Sequence, residues 1–241
     1  MNTVKDKIIL VTGGGQGLGA AICNTLAGGG ATMISVDVNQ EGIIKVAEGI
    51  KLTGGRAHAY IMDVCNHKEI DQVVTKIIRD YGKIDILINN AGIDVTKPIE
   101  ELSVEEWNKV ISVNLNGPFN VSKAVYPWLV RNGKGHIVNI VSTASKRTWA
   151  NASAYHASKW GLLGLSHALH VEGRKNNIKV TAVVAGGMQT PFIMERFPDT
   201  DPGILQDPKN VAETIQFILS QPDGTVIPEV MVIPTKETSW P

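Results

Sequence analysis

The chain has 241 residues, of which 43% are apolar and 24 are glycine. That is long for one domain but acceptable for an α/β sheet wrapped by helices, and the apolar share suffices for a sizeable core. The 23 basic and 23 acidic side chains cancel, which argues against a polyanionic partner such as nucleic acid or an acidic membrane surface.

The N-terminus, MNTVKDKIILVTGGG, carries only four apolar residues, Ile8 to Val11, before its glycines. That is too short for a signal-peptide core or a membrane span, so a cytoplasmic location is expected. The two cysteines, Cys23 and Cys65, have neither a disulfide framework nor metal-ligand spacing, and no metal site is expected. Apolar runs over residues 8–11, 33–36, 57–61, 84–88, 136–141, 180–184 and 230–233 read as strands. Several are nearly unbroken β-branched runs, as in strands covered on both faces. Amphipathic stretches over about 17–28, 39–52, 67–81, 103–131, 152–176 and 210–220 read as helices. Seven strands with intervening helices predict right-handed crossovers and a mostly parallel sheet with helices on both faces. No linker or internal repeat interrupts 1–241, so a single domain is expected. The weakly patterned stretch 187–208 carries Pro191, Pro198, Pro202 and Pro208 and is expected to form an irregular lid.

The first strand runs into Thr12-Gly13-Gly14-Gly15-Gln16-Gly17-Leu18-Gly19. Glycines after a strand and before a helix allow a tight turn and let the backbone approach a pyrophosphate. The helix dipole then favours the phosphate charge. Asp37 ends the second strand, 18 residues beyond Gly19. A carboxylate at about that distance holds a ribose 2′-hydroxyl and repels a 2′-phosphate. Neither the glycine turn nor Val38-Asn39 offers a cation to offset that repulsion, so NAD is expected over NADP. Asp37 as a simple turn or cap residue is the competing reading. Asp63-Val64 and Asn89-Asn90-Ala91-Gly92 follow the third and fourth strands, at the carboxyl ends where open α/β sheets bind ligands.

Ser142 closes the fifth strand, and Tyr155 and Lys159 lie four apart in a helical segment, so they share a face. Oxidising an alcohol needs a base near neutral pH. A free tyrosine titrates near ~10, and an ammonium one turn away stabilises its phenolate. A serine hydroxyl beside it holds the carbonyl oxygen.

Over about residues 5–220 the chain resembles the short-chain dehydrogenase/reductase superfamily, in its single-domain branch. The matching motifs are Thr12-Gly13-x-x-x-Gly17-x-Gly19, Asp63-Val64, Asn89-Asn90-Ala91-Gly92, Asn114, Ser142, Tyr155 and Lys159. The resemblance implies a three-layer Rossmann fold and transfer of a hydride between a nicotinamide cofactor and a carbonyl or carbinol carbon. It implies Tyr155 as general acid/base and Ser142 as the group that polarises the substrate oxygen. Lys159 lowers the Tyr155 pKa and binds the nicotinamide ribose, and Asn114 holds a water in a proton relay. Cofactor contacts are expected from Gly13, Gly15, Gln16, Gly17, Leu18, Gly19, Asp37, Asp63, Val64, Asn90, Ala91 and Gly92. Further contacts are expected from Tyr155, Lys159, Gly186, Met188 and Thr190. The four-residue Tyr–Lys spacing favours C=O/CH–OH chemistry over C=C reduction.

The chain departs from the family at Ala185-Gly186, where the family has Pro-Gly. Loss of proline frees φ and predicts a looser turn with a more mobile lid hinge. The tail Ile233 to Pro241 lacks the family's Asp-Gly-Gly ending and is similar to a subgroup acting on small hydroxy acids, amino alcohols and related polar substrates. Substrate determinants are expected at Asp94, Ala144, Arg147, Trp149 and Gly187, with Lys146 and Arg147 read either as greeting a polar substrate or as a solvated loop. Phe192, Ile193, Met194 and Phe197 either cap a site or pack down. Family resemblance also implies a homo-oligomer, a tetramer or dimer, through the helices at 103–131 and 152–176. Trp107, Trp128, Trp160 and Leu163 are candidates for that interface or for the core. The expected activity is therefore NAD-dependent oxidation or reduction of a small polar substrate such as a polyol, sugar or hydroxy acid. The alternatives are a 3-oxoacyl-thioester reductase-like enzyme, a non-catalytic NAD(H)-binding redox sensor, and an epimerase or dehydratase.

Overall fold

In the first strand, β1 (Ile8–Thr12), alternate residues face opposite ways. Ile9 and Val11 pack with Ile22, Leu26, Met33 and Ile215, whereas Leu10 packs with Ile34, Ile77, Val125 and Ile137. Both sets are fully buried. A strand with a core on each side has no solvent face, which is why the apolar runs are unbroken rather than alternating. The computed structural model describes residues 4–238 and 240. The remaining strands are β2 (Thr32–Asp37), β3 (Arg56–Ile61), β4 (Ile86–Asn89), β5 (Gly135–Ile140), β6 (Ile178–Ala185) and β7 (Glu229–Val232). They form one seven-stranded sheet in the order β3-β2-β1-β4-β5-β6-β7. Every pairing is parallel. Helices lie on both faces, giving the three-layer Rossmann arrangement.

The helices are α1 (Gly17–Gly28), α2 (Gln40–Leu52), α3 (His67–Tyr81), α4 (Val104–Ile111), α5 (Gly117–Arg131), α6 (Ser153–Gly173), α7 (Pro191–Met194) and α8 (Pro208–Leu219). Local chemistry starts several of them. Asn39 and Asn66 accept from backbone N–H groups in the first turns of α2 and α3. Ser103 and Glu106 form a reciprocal capping box on α4. The expected single helix over 103–131 is instead broken by a π turn, Ser112–Asn116. The wider turn sets Asn114 inward, fully buried, in a geometry that often marks functional positions.

Strand order reverses at β1, which pairs with β2 on one side and β4 on the other. The crossovers leave in opposite directions there, and a crevice opens at the carboxyl ends. The crevice floor is stitched by side chains. The Thr12 hydroxyl accepts from the Asn90 and Ala91 N–H groups at 3.0 and 3.1 Å. The Asn90 amide donates to the Thr12 and Gly13 carbonyls at 3.0 Å each.

Residues 187–208 hold α7, a 3₁₀ turn at Pro202–Ile204 and a bridge between Met188 and Gln206. The turn before them differs from the expected loose hinge. With alanine in place of proline, β6 keeps pairing with β7 as far as Ala185 and Val232. Gly186 N–H then donates to the Val232 carbonyl at 2.9 Å, and Gly187 N–H donates to the Glu237 carboxylate at 2.8 Å. The C-terminal tail braces this turn. No described helix is long and apolar enough to cross a membrane.

Candidate active site

A cavity of about 1000 Å³ occupies the crevice. Its cofactor end is built by the glycine turn. Gly13 and Gly17 have φ of +65° and +52°, a left-handed backbone that a side chain would strain. Gly19 answers to packing instead: a Cβ there would lie 2.0 Å from the Gly13 carbonyl oxygen. Gln16 precedes α1 with an extended backbone and no capping side-chain bond. The first-turn N–H groups of α1 are therefore left for a ligand, and the helix dipole favours an anion there. Gly13, Gln16, Gly17 and Leu18 line the cavity, whereas Gly15 and Gly19 do not. Gly15 acts one step removed, its N–H donating to the Asp37 carboxylate at 3.1 Å. Asp37 also accepts from Asn39 N–H at 3.0 Å, which fixes its carboxylate at the cavity wall. Asp63, Val64, Asn90, Ala91 and Gly92 extend the same wall. These features fit a dinucleotide: open helix N–H groups for phosphate, and a held carboxylate at the end of β2 for a ribose.

The chemical end brings together Ser142, Tyr155 and Lys159, at 8%, 8% and 4% exposure. Ser142 ends the segment after β5, where its hydroxyl accepts from Ala144 N–H at 3.2 Å. Tyr155 and Lys159 stand one turn apart on α6, with the Lys159 ammonium 5.6 Å from the Tyr155 ring centre. Lys159 donates to the Ile140 carbonyl at 2.9 Å, which holds it at the end of β5. Burial pushes the Tyr155 phenol up to about 12, while a hydrogen bond from Ser142 pulls it down, the Asp94 charge raises it and the Arg196 charge lowers it. Burial pulls Lys159 down to about 8, against the raising charge of Asp94.

Asn114 does not line the cavity. Its amide donates to the Ile93 carbonyl at 2.8 Å and to the Ser158 hydroxyl at 3.1 Å, and its oxygen accepts from Ile93 N–H at 2.8 Å. It ties the loop after β4 to α6 next to Tyr155. Gly92 keeps the intervening space: a Cβ there would sit 3.5 Å from the Asn114 oxygen and 3.8 Å from the Lys159 nitrogen.

Of the expected substrate determinants, Asp94, Trp149 and Gly187 line the cavity, and Ala144 and Arg147 do not. Ala144 is fully buried and turns its carbonyl to the His156 Nδ1 at 2.9 Å. Arg147 is exposed and stacks over Trp240 at 5.3 Å. Lys146 pairs with Glu229 at 2.7 Å rather than facing a substrate. Gly186, Met188 and Thr190 line the cavity beside the lid. Phe192 caps it, its ring centre 5.9 Å from that of Tyr155.

Three residues at the site escape sequence reasoning. His156 accepts from Trp149 N–H at its Nε2 (3.1 Å), so its Nδ1 carries the proton and donates to Ala144. That ring pins the 144–149 loop. Arg196 reaches Asp94 from 102 positions away, and Glu237 reaches Gly187 from 50. No local pattern announces a contact made across such separations.

Residues 7–201 match the family model for short chain dehydrogenase. The chain is 33% identical over 242 residues to the 3-oxoacyl-[acyl-carrier-protein] reductase FabG of Thermotoga maritima, covering 95% of this chain and 97% of that protein. Among solved structures, a metagenomic short-chain oxidoreductase in complex with NADP superposes with a TM-score of 0.86 at 30% identity, covering 96% and 98% of the two chains. Levodione reductase superposes with a TM-score of 0.89 at 29% identity, covering 95% and 96%. The chain belongs to the short-chain dehydrogenase family, and is an oxidoreductase whose family uses a nicotinamide cofactor.

Proposed function

We propose that the protein interconverts a secondary alcohol and a ketone on a small polar substrate, with NAD as the preferred cofactor. The observation that carries this reading is the buried Ser142–Tyr155–Lys159 cluster in one cavity with the glycine turn and Asp37. The nicotinamide, when bound, supplies or takes the hydride. Oxidation also removes a proton from the substrate oxygen, and Tyr155, as its phenolate, is the group placed to accept it. Ser142 holds that oxygen with a hydrogen bond. The Ser142 hydrogen bond and the Arg196 charge oppose the burial that keeps Tyr155 neutral, and Lys159, 5.6 Å from the ring centre, is placed to add to them when charged. A positioned acid/base of this kind contributes about 10²–10⁴ in rate. Asn114, committed to Ile93 and Ser158, keeps the loop after β4 in register with α6.

NAD preference rests on Asp37. Among the described residues lining that end, Gln16, Asp37, Val38, Asn39, Asp63 and Cys65, none is a cation that would meet a 2′-phosphate. The solved relative bound to NADP makes this point worth testing directly. A second reading, reduction of a 3-oxoacyl thioester, is favoured by the likeness to the Thermotoga maritima reductase. The test is initial-rate absorbance with NAD and NADP in parallel across polyols, hydroxy acids, simple secondary alcohols and 3-hydroxyacyl thioesters. Turnover of a small polar alcohol with NAD upholds the proposal. Preference for NADP removes the role given to Asp37, and selective turnover of the thioester favours the second reading. We also propose a homo-oligomer that covers the outer face of α5 and α6.

A further inference from the structure

Asp94 lies in the loop after β4, with its side chain 7% exposed. One carboxylate oxygen, Oδ2, accepts from the Arg196 guanidinium. The other, Oδ1, is buried and has no hydrogen-bond partner among the described residues. A carboxylate oxygen withdrawn from water without a donor is costly, and native proteins rarely leave one so without a use. Asp94 and Arg196 both line the cavity together with Tyr155. Arg196 follows α7 in the lid and is packed over Phe192 at 4.1 Å and Phe197 at 5.4 Å. Its Nε donates to the Phe192 carbonyl at 2.7 Å, so the guanidinium is oriented before any substrate arrives.

We propose that Asp94 and Arg196 form a specificity-determining pair that reads a second hydroxyl on the substrate, donated to the Asp94 carboxylate when substrate binding opens Oδ1 to the cavity, so that the enzyme acts on diols and polyols. This rests on the alcohol–ketone reading above. An ionised carboxylate only accepts, so the missing group is an O–H or N–H donor; a substrate carboxylate or thioester carbonyl does not complete it. Arg196 already balances the Asp94 charge, and an ammonium brought to the same place would meet the guanidinium at close range. That leaves a neutral hydroxyl. Because Arg196 belongs to the lid, a substrate hydroxyl held on Asp94 also meets the segment that covers Tyr155.

The test compares kcat/KM for cyclohexane-1,2-diol (cis and trans isomers separately) with that for cyclohexanol. The wild-type enzyme is expected to prefer a diol at least tenfold, since a site built to bind a hydroxyl rejects the analogue lacking it. In Asp94→Asn that ratio is expected to fall at least tenfold. A variant that lowers both substrates alike, leaving the ratio unchanged, overturns the proposal and makes Asp94 merely structural. Arg196→Gln, which leaves the carboxylate without its cation, is expected to raise activity on 2-aminocyclohexanol relative to the diol; if the amino alcohol is already preferred by the wild type, the hydroxyl assignment is wrong. Should the wild type oxidise neither alcohol, saturation-transfer NMR on the NAD-loaded protein reads binding directly. Diol binding that is lost in Asp94→Asn upholds the pair even where the alcohol–ketone reading fails, and equal binding of diol and cyclohexanol overturns it.

Discussion

Tyr155 carries one oxygen on which the proposed chemistry turns. Tyr155→Phe keeps the ring, its packing against Phe192 and its place on α6, and removes only the hydroxyl. Turnover is expected to fall about 10²–10⁴-fold, with NAD affinity by calorimetric titration within a few-fold of wild type. Equal loss of binding would mean that Tyr155 holds the cofactor rather than the proton. At the other end of the cavity, Gly19→Ala puts a methyl 2.0 Å from the Gly13 carbonyl and 2.7 Å from the Asn90 amide. Backbone has to move, at a cost of about 1–3 kcal/mol. Because the displaced carbonyl belongs to the glycine turn at the proposed cofactor end, NAD affinity is expected to drop at least tenfold by fluorescence titration. Retained affinity would show that the turn tolerates a shifted α1.

At the scale of elements, β5 and β6 are joined by more than their backbone ladder. His136 on β5 is buried, and its Nε2 lies 2.8 Å from the Thr181 hydroxyl on β6. That hydroxyl donates to the Ile227 carbonyl at 2.7 Å, so Nε2 must carry the proton it shares with Thr181. Burial pushes the His136 imidazole down to about 3. An unfolded histidine titrates near ~6.5, so between those values the unfolded chain binds the extra proton. This contribution is complete above about pH 6.5 and is lost as pH falls toward 3. Urea unfolding at pH 6.5 and 4.5 is expected to show about 1–2 kcal/mol more acid loss in wild type than in His136→Gln, discounting the ~1.36 kcal/mol per pH unit limit. Equal acid losses would mean that His136 is protonated in the folded protein. The π turn between α4 and α5 belongs to this scale too. Periodicity over 103–131 reads as one helix because Val110, Val121, Val125 and Leu129 keep facing the core through the break. The extra residue answers to Ile93 and Ser158, which are distant in sequence from the helix it interrupts.

Over the whole molecule, the outer face of α5 and α6 decides the oligomer proposal. Leu163 belongs to one buried cluster of the monomer, and Trp128 packs against another with Arg131 over its ring at 5.1 Å. Trp107 is half-buried, whereas Trp160 is 50% exposed and Phe119 48% exposed. Large apolar side chains exposed on adjacent helices are characteristic of an association surface. Trp160→Glu is expected to lower the molar mass measured by light scattering after gel filtration; a mass unchanged from a wild-type oligomer would place the interface elsewhere.

How much of this was legible beforehand follows the range of the forces involved. Strands buried on both faces, the glycine turn and the Tyr155–Lys159 spacing are short-range features. Each is set by residues within a few positions, so the α/β order and the Ser142–Tyr155–Lys159 cluster could be read from sequence. The bracing of Gly187 by Glu237, the loss of Ala144 and Arg147 from the site and the Arg196–Asp94 pair were decided only in three dimensions. They depend on where the lid and tail close on the strand ends, and loops do so through a few contacts between residues 50 to 102 positions apart. Sequence alone named the residues on which the proposed chemistry rests; the tertiary structure decided which side chains surround them in the cavity, because those contacts form only after the sheet has brought its carboxyl ends together.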